Sequence, residues 1–274
     1  MDLSRLRFAS LALAFAMAVA FVGCDSTGSS TSGGNVEVGF STTRSPAQST
    51  NAFAKADHDS LTLSGSNGTL RITDIRLIVD KVKLKEDTQS TDASGEEVEI
   101  EREVEVEQPR FLDLPLREAK VSPVAAGDIP TGTYNAFEFE VDDLEDDADQ
   151  EESGDDQNNQ GLLADIREEF PQWPEDASMV VVGTFAPTGG TPTSFTTYFE
   201  AEIEVEQALR PPVEVSSEGF SRTLIVRLDP ARWFKQGDDG PVKDLSQFDF
   251  EETGTVKELE AEFEDGVAEI EYDN

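Results

Sequence analysis

Between Thr69 and Leu84 apolar and polar residues alternate, and the alternation changes phase twice. Leu70 and Ile72 lead, Ile75, Leu77 and Val79 follow one step out of phase, and Val82 and Leu84 shift again. Successive side chains of a strand point to opposite faces, so a regular strand with this sequence would bury one apolar set and expose the next. A strand that keeps all of them on one core needs an extra residue at each break. The sequence therefore predicts a long strand with bulges or bends at Thr73-Asp74 and Asp80-Lys81.

The same period recurs along the chain. Val98, Ile100, Val104 and Val106 alternate with acidic residues, and Phe137, Phe139 and Val141 follow a Pro130-Thr131-Gly132 turn. Segments 180–185, 195–205 and 223–228 complete the stronger set. Helical patterns are brief. Gly161 to Phe170 is stopped by Pro171, and Asp229 caps a turn or two that opens on Pro230 and ends at Gly237. These features predict an all-β fold, an antiparallel β-sandwich of transthyretin-like or immunoglobulin-like type with one or two short helices.

The first residues read as an address. Arg5 and Arg7 precede an apolar stretch from Phe8 to Val22, too short to span a bilayer comfortably. It ends Phe21-Val22-Gly23-Cys24, which resembles the bacterial lipobox, with Phe21 where Leu is usual. The resemblance implies a signal peptide over 1–23 and lipidation of Cys24, the only cysteine, by diacylglycerol and further acyl chains such as palmitate. An ordinary signal peptidase site beside a free thiol is the plainer alternative. Residues 24–59 are expected to be a flexible tether, Ser/Thr/Gly-rich from Asp25 to Asn35. A sandwich over 60–250 with an acidic loop at 142–160, and a hairpin over 251–274, complete the expected organisation. The expected place is the cell envelope, at the outer membrane or cell surface rather than the inner membrane.

Charge narrows the partners. Fifty-eight acidic residues face 21 basic ones, a formal net charge of −37. Such a surface repels nucleic acid and anionic headgroups, so membrane attachment has to come from the lipid. Acidity spread along the whole chain points to adaptation to high salt, where self-repulsion is screened. A two-residue turn at Asp265-Gly266 predicts a C-terminal hairpin with Phe263 opposite Ala268, Ala261 opposite Ile270 and Leu259 opposite Tyr272. Its outer face would set Glu262 against Glu269 and Glu260 against Glu271, contacts that only salt makes tolerable. Lys81, Lys83 and Lys85 share a strand face and are expected to lie near Glu97, Glu99 and Glu101 on a paired strand.

Several stretches resemble uncharacterised β-rich bacterial lipoproteins of the DUF4382 type. They are Thr73-Asp74-Ile75-Arg76-Leu77, Phe111-Leu112-Asp113-Leu114, Ile129-Pro130-Thr131-Gly132-Thr133-Tyr134 with Phe137 and Phe139, and Leu228-Asp229-Pro230. The resemblance covers about residues 60–235 and implies a sandwich with no established activity and no catalytic residues. The acidic stretch after Val141 departs from it.

Reactive constellations are scarce. His58, the only histidine, sits in Asp57-His58-Asp59-Ser60, where adjacency in sequence is no substitute for the convergence a triad needs. No nucleophile elbow, phosphate loop or dinucleotide fingerprint occurs. Asp149, Glu151, Ser153 and Asp155 fall at the spacing of a calcium loop, but Gln160 stands where a bidentate Glu belongs. A solvated acidic loop is preferred over this weak Ca²⁺ site, and no other cofactor is expected. Trp173 is a candidate for stacking on a sugar or a partner, whereas Trp233, beside Phe234, reads as core. The expected function is a non-catalytic binding or scaffolding module for an envelope protein or polysaccharide, with an envelope carbohydrate hydrolase using an acidic pair as the alternative.

Overall fold

A computed structural model describes residues 34–43, 60–91, 97–116, 120–144, 155–216, 221–237, 239–259 and 266–272. The chain divides into Met1–Ser30 and Thr31–Asn274, and every described residue belongs to the second unit. The fold is all-β, as the alternation predicts.

One sheet contains β1 (Gly34–Thr42), β5 (Ser122–Ile129), β10 (Ser221–Leu228) and β12 (Val267–Tyr272), in the order β12-β10-β1-β5. The other contains β2 (Leu61–Gly65), β3 (Gly68–Thr91), β4 (Glu97–Asp113), β6 (Gly132–Val141), β7 (Met179–Pro187), β8 (Thr193–Glu200), β9 (Ile203–Val215) and β11 (Lys257–Glu258). Its organiser is β3, a strand of 24 residues. The first half of β3 pairs with β2 and β7, and its second half with β4 and β6. The register slips between Ile72 and Asp74 and again between Val79 and Lys81, the two places where the sequence changes phase. Leu70, Ile72, Ile75, Leu77, Val79, Val82 and Leu84 consequently all enter one core. At the first slip the backbones come so close that a Cβ on Gly183 would stand 2.2 Å from the Arg71 carbonyl oxygen, which only glycine permits.

The second half of β3, with β4, β6 and β9, forms one leaf of the sandwich, and the four-stranded sheet forms the other. Phe40 of β1 meets Phe139 of β6 across the core. At one side β4 runs beside β5, and at the other the Tyr272 hydroxyl of β12 donates to the Pro211 carbonyl of β9 at 2.7 Å. The Tyr134 hydroxyl donates to the Pro130 carbonyl at 3.0 Å, which locks the turn that carries the chain from one leaf to the other.

Three short helices cover the extension of the larger sheet: α1 (Asp155–Glu169), α2 (Pro230–Phe234) and α3 (Phe250–Thr253). In α2 the Asp229 carboxylate accepts from the Ala231 amide at 3.1 Å and Pro230 opens the helix, as expected. Trp233 and Phe234 are fully buried, again as expected. On the opposite face of the sheet a second core gathers Ile78, Leu144, Ile166, Trp173, Val180 and Tyr198.

Four expectations need correction. Residues 34–42, expected to lie within a tether, form β1 instead, and Val36, Val38 and Phe40 are buried in it at the middle of a sheet. The sandwich is not wholly antiparallel, since β1 runs parallel to β10 and β11 parallel to β8. Near the C-terminus β12 joins the sandwich through β10, and β11 joins β8 in the other sheet; the expected hairpin pairs β12 with residues mostly outside those described. Positions 260–265 of that hairpin lie outside the described residues. The helix expected at 161–170 begins at Asp155, within the stretch expected to be an acidic loop. Finally, β3 and β4 do pair, but Lys81, Lys83 and Lys85 face Glu107, Glu105 and Glu103 rather than Glu97, Glu99 and Glu101.

Candidate functional site

The most organised polar feature is the outer face of the leaf β4-β3-β6-β9. Because side chains alternate, the strands that send Val82, Leu84, Phe137, Phe139 and Val205 inward send a charged set outward. The register lays these charges out in rows. One row reads Glu105, Lys83, Glu138, Glu206, and the next reads Lys81, Glu140, Glu204. The third reads Glu103, Lys85, Ala136, Ala208, and its two small residues leave room for a long side chain to lean across.

Lys85 does lean across. Its ammonium pairs with Glu138 and donates to Glu206 at 2.6 Å, so it lies between two carboxylates that the register sets directly opposite each other. Lys83 reaches Glu138 at 2.9 Å, with Glu103 and Glu105 at 3.7 and 3.8 Å, and Lys81 sits 3.3 Å from both Asp80 and Glu140. Glu138 is the centre of the network, with its side chain only 2% exposed. The lysine stems that shield it remain about one-fifth exposed themselves.

Electrostatics keep these groups ionised. Burial alone would raise the Glu138 carboxyl, but hydrogen bonds and charge from Lys85 and Lys83 outweigh it and hold the carboxyl below its usual range. Lys85 and Lys83 are raised, first by their hydrogen bonds to Glu138. Lys81 is raised too: its desolvation opposes the charge, and Asp80 and Glu140 more than compensate. Glu138 moves away from neutrality on the acid side and the three lysines on the alkaline side. None of the four is therefore poised to exchange a proton near pH 7.

A second polar cluster centres on Arg76. It pairs with Asp74 at 2.9 Å, Glu169 of α1 at 3.2 Å and Asp113 at 3.7 Å, and lies 6.0 Å from the centre of the Phe111 ring. It fastens the end of α1 to the sheet beneath. Burial pushes the Tyr198 hydroxyl in the aromatic core below up to about 12.

Among the described residues one open groove of about 380 Å³ runs between β9 and β12, lined by Glu204, Val205, Glu206, Gln207 and Val267. The side-chain oxygen of Gln207 is buried without a hydrogen-bond partner.

The residues singled out from sequence fare differently. Cys24, His58, Asp149, Glu151 and Ser153 lie outside the described residues. Asp155 is the first residue of α1, and Gln160 lies in the same helix, so the second half of the calcium-like spacing is helix rather than loop. Trp173 does not offer itself for stacking: it is 5% exposed and packed edge-on against Phe111 and Tyr198, at centroid distances of 5.3 and 5.4 Å. Among the described residues no three His, Cys, Asp or Glu side chains converge to hold a metal ion, and no helix is long and apolar enough to cross a membrane. Glu138 went unnoticed in the sequence. Its signal was a lone Glu between Phe137 and Phe139 opposite a lysine stripe.

Against known proteins, the chain matches no family model, no curated protein and no solved structure.

Proposed function

We propose that the chain is an envelope lipoprotein, held by acyl chains on Cys24, whose β-sandwich serves as a non-catalytic binding or scaffolding module in a saline environment. The likeness to DUF4382-type lipoproteins belongs to the same proposal. The observation that carries it is the ion-paired face centred on Glu138. Glu138, Lys83 and Lys85 are committed to one another and stay charged at neutral pH, which suits a rigid polar surface and not proton transfer. The partner is an envelope protein or a surface polymer.

Two experiments test the parts. Cys24→Ser should leave the chain unprocessed or release it from membranes. A cleaved variant that still fractionates with membranes would remove the anchor from the proposal. Cross-linking in intact envelopes at native salt, followed by capture of the chain, should bring down one defined protein or glycan. Recovery of neither would remove the binding role. The hydrolase alternative draws on the carboxylates of Glu204 and Glu206 in the groove. It takes over if a glycoside panel shows turnover that Glu204→Gln or Glu206→Gln abolishes.

A further inference from the structure

The β3-β4 pair continues past the body of the sandwich. The last residue of β3 that pairs with β6 is Lys85, opposite Ala136, and Glu86 still touches that leaf, accepting from the Thr133 amide at 3.3 Å. From Asp87 to Thr91 the only partner of β3 among the described residues is β4, from Glu101 back to Glu97. A two-stranded arm therefore projects beyond the Pro130-Thr131-Gly132 turn, by roughly 15–17 Å for its paired residues.

The start of β1 lies at that same end. Gly34 pairs with Ile129, the residue before the turn, and β1 and β6 are brought side by side by the contact of Phe40 with Phe139. Only residues 25–33 separate Gly34 from Cys24. Ten Cα–Cα steps span at most about 36 Å, whatever their conformation. Residues 86–102 carry seven acidic side chains and one basic one.

Building on the lipidation reading above, we infer that the partner of this end of the molecule is the lipid surface bearing the anchor, and that the arm is a spacer between them. With Cys24 at the bilayer, the arm occupies about half of the longest gap the chain allows. Its charge is repelled by anionic headgroups, so it holds the turn end of the sandwich away from the bilayer without adhering to it.

The test does not depend on native lipidation. Cys24 is the only thiol in the sequence, so the chain from Cys24 onward can be coupled to a maleimide lipid in a supported bilayer of phosphatidylcholine with one-fifth phosphatidylglycerol. Neutron reflectometry then reads the height of the protein layer. Replacing residues 88–100 by Asn-Gly, between the paired positions Asp87 and Glu101, should lower that layer by about 10–15 Å. An unchanged height overturns the spacer. A second measurement uses the unaltered arm: an environment-sensitive probe at exposed Asp128, near the turn, against one at exposed Gln236, beyond the far end of β10. Lipid-borne quencher should quench Asp128 more strongly, and equal or reversed quenching overturns the orientation. Mass spectrometry of the native chain reads acylation separately, so failure of the anchor and failure of the spacer are distinct results.

Discussion

Phe40 on β1 and Phe139 on β6 meet edge to face, with ring centroids 5.1 Å apart and planes at 84°. Both are fully buried, and they join the two leaves through a strand that begins only ten residues after Cys24. An edge-to-face pair adds about 0.5–1.5 kcal/mol beyond the area it buries. Phe40→Ala should therefore cost about 3–5 kcal/mol in denaturant unfolding of the chain from Cys24 onward, and Phe40→Leu much less. A cost under about 1 kcal/mol for the alanine variant would mean that β1 does not contribute to the folded core.

Glu138→Gln keeps the shape of the side chain and removes its charge, which leaves two partly buried lysines sharing an amide. Breaking a well-buried pair costs about 3–5 kcal/mol, and an exposed one about 1 or less. With the lysines one-fifth exposed, a cost of about 1–3 kcal/mol at pH 7 is expected. The pH dependence follows from the direction of the shifts. A carboxyl held below its unfolded value contributes stability that is present above the ordinary carboxylate range and lost as pH falls through the folded value. The gap between wild type and variant should stay level from about pH 6 to 10 and close below about pH 4. Lys83 and Lys85 are raised, so their share is complete below the ordinary lysine range and fades only above about pH 10. Equal stabilities at pH 7 would show that the network is neutral to folding.

Asn67 holds the backbone of a distant loop in both directions. Its side-chain amide donates to the Val242 carbonyl and its carbonyl accepts from the Val242 amide, each at 2.9 Å. This imitates a strand pairing and seats the chain that follows α2. Asn67→Ala removes both bonds and takes the acceptor from the Val242 amide, at a cost of about 1–3 kcal/mol. Amide exchange at Val242 should quicken by about tenfold or more while the amides of β7 keep their protection. Unchanged exchange at Val242 would show that the loop is seated by its other contacts alone.

Much of the fold was legible where chemistry is local. The phase changes at Thr73-Asp74 and Asp80-Lys81 located both bulges, because a core that stays on one side leaves a strand no other solution. The cap at Asp229 was equally readable. What escaped depended on partners far away in sequence. Glu269 and Glu271 looked like half of a repulsive face, yet Arg227 of β10 lies 3.5 and 2.5 Å from them. The lysine stripe found β4 but missed its register by six residues. Acidic residues alternate from Glu97 to Glu107, so several registers satisfy Lys81, Lys83 and Lys85 equally well. β1 was overlooked because Val36, Val38 and Phe40 alternate for only a few residues between Ser/Thr-rich stretches.

The pairing of Arg227 with Glu269 and Glu271 weakens one argument for a saline habitat and leaves a larger one. Arg227 relieves the C-terminal acids, but even with every one of the 21 basic residues paired the chain keeps a net charge of −37. The structure also sets Glu138 opposite Glu206 and Glu140 opposite Glu204 on neighbouring strands. Salt acts in both directions, since it screens the lysine pairs as well as the repulsion. Partly exposed pairs are worth up to about 1 kcal/mol each, and three lysines anchor those on the sheet face. Like charges opposed across strands cost a similar amount each, and surplus acids outnumber these lysines by far. Repulsion therefore decides the sign, and a net relief of about 2–3 kcal/mol raises the melting temperature by about 5–10 °C for a domain of this size. Melting of the chain from Cys24 onward should show that rise between 0.1 M (~10 Å Debye length) and about 2 M KCl or NaCl. An uncharged osmolyte at matched osmolality should give much less, and chloride is preferred to sulfate, which would also strengthen apolar burial. Glu138→Gln, which removes an acid but also the partner of two lysines, should melt lower than wild type in dilute salt and draw closer to it at high salt. A melting temperature that stays flat or falls with chloride would mean that the acidic surface is solvated without cost, and the saline reading would go with it.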